Sequence, residues 1–172
     1  MKVLIISDSH GLDKELFKVL DRHKHEVDAI IHCGDSELPK KAFSEYEKLL
    51  IVEGNCDDDD AYEREIYYDL KPIKVFITHG HLYNVKFSAV NLSYRAEELG
   101  ANLVCFGHTH IATAFQENNV VYINPGSFRL PKERNERSYV IVNYQNNCEI
   151  KVIFFDQKGN EIEDLNESFL LV

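Results

Sequence analysis

The chain lacks any apolar run near the roughly 20 residues of a membrane helix, so no membrane partner is expected. It is poor in positive charge: 19 Lys and Arg against 29 Asp and Glu give a formal net charge of −10. A nucleic-acid polymer rewards a Lys/Arg stripe, and this balance argues against such a partner. Nucleotide-sized substrates stay open, because two divalent cations can make a positive pocket in an acidic protein. Cysteine is sparse. Cys33, Cys56, Cys105 and Cys148 show no CxxC or zinc-ribbon spacing, and Cys33 and Cys105 end apolar runs and read as small buried hydrophobes. A reduced, cytoplasmic protein is expected. The opening apolar run at 2–6 is too short for a signal segment and ends in a charged turn. With no repeat, low-complexity tract or linker, residues 1–172 are expected to form a single domain, long enough for a full core.

Hydrophobic patterning predicts an α/β chain. Continuous aliphatic runs at 2–6, 29–33 and 102–106 read as buried strands, with a short one at 51–52. Segments 12–24 and 38–49 read as helices, the first with Asp13 as cap or first-turn acid and the second with Pro39 in its first turn. A hairpin is expected where 65–69 and 73–77 flank Leu70-Lys71-Pro72, and a helix over 85–99 capped by Gly100. Beyond residue 110 strands follow one another at 112–117, 120–124, 138–144, 149–155 and 163–171. They are parted by turns at Asn118-Asn119, Asn146-Asn147 and Lys158-Gly159-Asn160. Two packed sheets with helices outside account for this order.

Five clusters of metal-liganding residues punctuate the chain, most of them where an apolar run stops: Asp8-Ser9-His10, Gly34-Asp35, Gly54-Asn55-Cys56-Asp57, Thr78-His79-Gly80-His81 and Gly107-His108-Thr109-His110. Strand ends distant in sequence converge at the carboxyl edge of an open α/β sheet. Aspartate, asparagine and histidine meeting there are the raw material of a two-metal hydrolase. Asp8 and His10 would face one way if the segment were extended. A carboxylate at Asp35 has two oxygens with which to bridge two ions, and Asn55 offers a neutral carbonyl. Each residue alone has a plainer reading: an Asp or Asn after a strand is usually a turn former, and a lone His is usually a core or surface residue. The joint placement carries the inference. His23, His25 and His32 read as helix-end or surface residues.

The series D-x-H, G-D, G-N-x-D, H-G-H and G-H-T-H, in this order, resembles the calcineurin-like metallophosphoesterase superfamily. It is most similar to the small prokaryotic phosphodiesterases, relatives of the metallophosphoesterase-like subunit of retromer. Asn124-Pro125-Gly126-Ser127 resembles that family's turn after a late strand. The resemblance implies a four-layer α-β-β-α sandwich of two mixed sheets flanked by helices. It implies that Asp8, His10, Asp35 and His110 hold one divalent ion, and that Asp35, Asn55, His79 and His108 hold a second. It further implies a metal-dependent phosphodiesterase that hydrolyses small phosphodiesters with a hydroxide bound by the two metals. The alternative is a non-catalytic protein-binding scaffold on the same fold, the role of the retromer branch; all seven ligand positions are filled here, which favours an enzyme. A nuclease is disfavoured by the short, acidic chain.

Many members of the superfamily carry histidine where this chain has Cys56. A thiol is a poorer general acid than imidazole near neutral pH, so leaving-group protonation is expected to be weak and good leaving groups favoured; the plain alternative is a small filler in a tight loop. His81 is a second candidate proton donor or a support to the ligands, and Asp57 a candidate for orienting a nearby histidine or ligand. Imidazole and carboxylate donors suit Mn, Ni, Fe, Zn, Co or Mg and argue against Ca, with Mn first by resemblance. The acidic run Asp57-Asp58-Asp59-Asp60 reads as a solvated loop, and Arg129 and Arg134 as surface arginines or phosphate contacts. Phe154-Phe155 and the tail from Phe169 to Val172 are expected to pack on a sheet or to serve a homo-oligomer interface.

Overall fold

The computed structural model describes residues 1–58, 62–145 and 148–172; the expected turn at Asn146-Asn147 and the acidic residues Asp59 and Asp60 lie outside them. The chain opens with β1 (Lys2–Ile6), α1 (Asp13–His23), β2 (Ala29–His32) and β3 (Leu49–Ile51). It continues through β4 (Glu65–Leu70), β5 (Ile73–Thr78), α2 (Val90–Leu99) and β6 (Leu103–Cys105). It closes with β7 (Ala112–Glu117), β8 (Val120–Pro125), β9 (Ser138–Tyr144), β10 (Glu149–Asp156) and β11 (Glu167–Leu170). One mixed sheet has the order β11-β10-β9-β1-β2-β3, the other β4-β5-β6-β8-β7.

Burial on both faces explains the continuous apolar runs. In β1, Val3 and Ile5 enter the core between the sheets, while Leu4 and Ile6 pack outward against Leu16, Val19 and Leu20 of α1. Across the second sheet, Phe76 and Val104 meet Leu92 and Ala96 of α2. Helix, sheet, sheet and helix therefore stack as the expected α-β-β-α sandwich. Phe154 lies in the inter-sheet core, Phe155 stacks on Tyr139 at 5.5 Å, and Phe169 and Leu171 pack partly buried on the same core, while Leu170 and Val172 are exposed.

Several boundaries depart from the sequence expectations. The helix expected over 38–49 is only a 3-10 turn at Lys40–Phe43, because Leu49 is drawn into β3 beside Ile30 and only Phe43 of the turn is buried. Consequently β3 spans Leu49–Ile51, and Val52 makes only an isolated bridge to Glu63. The helix expected from residue 85 starts at Val90: Asn84 is left-handed (φ 55°), and Ser88 Oγ accepts the Val90 N–H, a local bond that competes with helix. Leu12 takes the N-cap position of α1, leaving Asp13 as a first-turn acid. The last expected strand divides into a 3-10 turn at Glu163–Leu165 and β11. His32, expected at a surface or helix end, is fully buried in β2.

Strands β1, β2 and β3 run parallel, as do β5 and β6. Their carboxyl ends deliver Asp8, Asp35 and Asn55 from one sheet, and His79, His108 and His110 from the other.

Candidate metal centre

The loops after β1 and β2 are zipped by backbone bonds from Asp8 N to Gly34 O (3.0 Å), His10 N to Asp35 O (3.0 Å) and Gly11 N to Ser36 O (2.8 Å). In the other sheet Gly107 N donates to His79 O at 3.1 Å. Two glycines are needed for this closeness. A Cβ on Gly54 would fall inside the Asp35 carboxylate, and one on Gly107 would meet Ser7 Oγ and Asp8 Oδ2. The backbone is also twisted here. Five of the seven expected ligands, Asp8, His10, Asp35, His108 and His110, have φ between 43° and 66°. Left-handed residues other than glycine cost on the order of 1–3 kcal/mol each and gather where function requires them. Asp8 and His10 are therefore not brought together by an extended segment, as alternation suggested, but by successive left-handed turns.

All seven side chains converge. His110 Nε2 lies 3.0 Å from Asp8 Oδ1, His79 Nε2 3.3 Å from Asp35 Oδ2, and His10 Nε2 3.9 Å from both Asp8 Oδ1 and Asp35 Oδ2. Asn55 Oδ1 and His108 Nδ1 each stand 3.2 Å from His79 Nε2. Three imidazoles are anchored from behind. His79 Nδ1 donates to the Cys33 carbonyl at 2.7 Å, His110 Nδ1 to the Leu130 carbonyl at 2.9 Å, and His10 Nδ1 meets Glu37 Oε1 at 2.6 Å. With the outer nitrogens so engaged, the inner ones point at the carboxylates, a meeting of lone pairs that a proton or a divalent cation reconciles. His10 Nε2 and His110 Nε2 are only 3.5 Å apart. Asp8 Oδ1, fully buried, has only ring nitrogens around it among the described residues, His110 Nε2 at 3.0 Å and His10 Nε2 at 3.9 Å, and no well-aligned hydrogen bond. The arrangement therefore fits divalent ions. Asp8, His10 and His110 form one compact donor group, and Asp8, Asp35 and His79 another.

Electrostatics agree. Burial pushes the Asp8 carboxyl up, but His110, His79 and Ser7 outweigh it and hold the group below its ordinary value. Asp35 is likewise lowered, as His79 and the Cys56 N–H overcome burial. Burial lowers His79, yet Asp35 and Asp8 raise it overall; the centre attracts positive charge. His108 is depressed to about 4 by burial and by His79 and Lys86, which keeps its ring neutral, the state a ligand needs.

The remaining candidates divide. Cys56 is exposed, its sulfur accepting from Asn55 Nδ2 at 3.1 Å and grouping with His10 and Asp35; burial and the Asp35 carboxylate push the thiol up to about 11. His81 stacks obliquely on His79, ring centres 5.4 Å apart, with a buried Nδ1 that has no partner among the described residues. Asp57 bonds no histidine among the described residues; it accepts from the backbone of the expected ligand Asp35 (N, 2.8 Å) and from Gly54 N (2.8 Å), Glu37 N (2.7 Å) and Ser36 Oγ (3.1 Å). Arg129 donates to the His10 carbonyl beside the centre, whereas Arg134 pairs with Asp164 at 2.8 Å elsewhere. Sequence reasoning missed Glu37 and the buried Ser9–His32 bond (2.9 Å) beneath the loops. Asn124 and Ser127, seen only as a turn, bind the Gly107 and Asp8 carbonyls at 2.8 and 3.0 Å.

Comparison with known proteins places this arrangement in a family. The chain is 47% identical over 171 residues to the probable metallophosphoesterase YsnB of Bacillus subtilis, covering 99% of this chain and 100% of that one. It is 26% identical to the phosphodiesterase YfcE of Escherichia coli, over 81% of this chain and 85% of that one. A crystal structure of a predicted phosphoesterase from Streptococcus pneumoniae superposes with a TM-score of 0.92 at 32% identity, covering 98% of this chain and 96% of that one. The calcineurin-like phosphoesterase superfamily domain matches residues 1–147, and the chain belongs to that family.

Proposed function

We propose that residues 1–172 act as one metal-dependent phosphodiesterase domain, hydrolysing small phosphodiesters at a centre for two divalent ions, manganese first among the candidates. The observation that carries this reading is the convergence of seven donor side chains around the buried Asp8 and Asp35 carboxylates. Asp8, His10 and His110 would hold one ion, Asn55, His79 and His108 the other, and Asp35 would touch both. Bound there, the ions supply Lewis acidity and an acidified water, the chemistry a phosphoester needs at neutral pH.

The chain's own groups would do the rest. The outer nitrogens of His79, His110 and His10 are hydrogen-bonded, which turns their inner nitrogens toward the ions. Asp57 fixes the loops that carry Asp35 and Asn55 by accepting their backbone N–H groups. Asn55 turns its amide nitrogen to Cys56 and its carbonyl to His79, which leaves an oxygen as the donor. Cys56 and His81 are the candidate proton donors beside the centre. Cys56, held protonated by burial and by Asp35, is a weak donor to a departing alkoxide; His81, lowered by burial and by His79, is neutral at pH 7. Leaving-group assistance is accordingly modest, and activated diesters should be preferred to alkyl monoesters.

The test is a panel of phosphomonoesters and phosphodiesters assayed with added Mn, Ni, Zn or Mg, with Asp35→Asn as the blank. Metal-dependent turnover of diesters, lost in Asp35→Asn, is expected. A protein that binds no divalent metal and turns nothing over would be a scaffold instead.

A further inference from the structure

We infer that Glu37 is a positioning residue for one cation site: its carboxylate grips the outer nitrogen of His10 and aims the inner nitrogen into the space shared with Asp8, Asp35 and His110. The inference rests on the two-ion reading above and adds to it a residue outside the ligand set.

The contact is short, 2.6 Å from Glu37 Oε1 to His10 Nδ1. The imidazole side chain is 10% exposed and the carboxylate 41%, so solvent reaches the Glu37 side of the pair. Glu37 is itself left-handed, with φ 52°, a conformation unfavourable for glutamate. It is held there by its N–H, which donates to Asp57 Oδ1 at 2.7 Å, and the same Asp57 carboxylate takes the N–H groups of Asp35 and Gly54. One buttress therefore sets a bridging ligand and the orienter of a second ligand together.

His10 differs from the other anchored imidazoles. His79 and His110 lean on backbone carbonyls, of Cys33 and Leu130, whereas His10 leans on a side chain that carries charge. A carboxylate acceptor makes an imidazole a stronger donor to a metal and fixes which nitrogen bears the proton. The main chain of His10 is secured independently, by the bond from its N–H to Asp35 O and by Arg129 on its carbonyl. Truncating Glu37 should therefore release the ring and leave the loop in place.

The experiment compares Glu37→Ala and Glu37→Gln with the unaltered protein, using zinc titrated against a chromogenic chelator. Melting of the metal-free proteins and nitrogen-15 spectra of the His10 ring are recorded alongside. In Glu37→Ala one of two bound ions should weaken on the order of 10–100-fold, the other should be unchanged, and the His10 ring should lose its fixed Nδ1–H tautomer. Glu37→Gln, whose amide oxygen still accepts a hydrogen bond but carries no charge, should restore the Nδ1–H tautomer and recover part of the affinity, and all three proteins should melt alike. Two ions bound as tightly in Glu37→Ala as in the unaltered protein, or equal losses in the two variants, would overturn the inference alone. An unaltered protein that binds no zinc would instead overturn the two-ion reading, and this inference with it.

Discussion

Removing Asp57 tests how the loops around the centre are held. Its carboxylate receives four hydrogen bonds, from Asp35 N, Gly54 N, Glu37 N and Ser36 Oγ, at 2.7 to 3.1 Å. Each contributes about 0.5–1 kcal/mol net where water can replace a partner, so Asp57→Ala should cost roughly 2–4 kcal/mol. Losing a negative charge beside Asp35 relieves repulsion and sets the expectation near the lower end, about 2 kcal/mol. For a chain of this length that is a fall of roughly 4–8 °C in melting temperature. The assay is thermal denaturation of the metal-free protein followed by circular dichroism, with Asp57→Asn as companion. Asn should recover about half at most, because its oxygen can serve one pair of donors while its amide hydrogens face the other pair. If Asp57→Ala melts within about 1 °C of the unaltered protein, water or neighbouring groups satisfy those donors, and Asp57 does not organise the loops.

Other outcomes follow from the same geometry. Asp35→Asn should drop diesterase activity on the order of 10²-fold or more and reduce bound manganese measured by mass spectrometry; unchanged metal content would exclude a bridging role. Cys56→His should raise turnover of esters with poor leaving groups by up to roughly 10²-fold, and no rise with metal content intact would show that leaving-group protonation is not limiting. His32, depressed to about 4 by burial, takes up protons more readily unfolded than folded between that value and about 6.5. His32 should therefore take about 2 kcal/mol from the stability of the metal-free protein as pH drops from 7.5 to 5. In urea titrations His32→Gln should show a drop smaller by that amount, and identical pH profiles for the two proteins would contradict a buried neutral His32.

The sequence makes the sheets and the ligand positions legible for one reason: apolar runs buried on both faces end abruptly in Gly, Asp, Asn or His. Local signals fail where tertiary pairing decides. Segment 38–49 has helical spacing, yet β3 claims Leu49 and leaves a single 3-10 turn. The start of α2 is set by Asn84 and Ser88, whose local bonds override the apolar pattern. Alternation in Asp8-x-His10 suggests an extended pair, but the left-handed φ values there arise from contacts with the loop after β2 and with Gly107, both far along the chain. Glu37 and His32 gave no spacing signal, because their partners His10 and Ser9 lie 27 and 23 residues away.

The central claim is that a pair of divalent ions belongs among these seven side chains. Crystals grown with manganese and measured by anomalous scattering test it directly. The account predicts two peaks, one among Asp8, His10 and His110, the other among Asn55, His79 and His108, with Asp35 between them. No peak there, or manganese bound only on the outer surface, would contradict it.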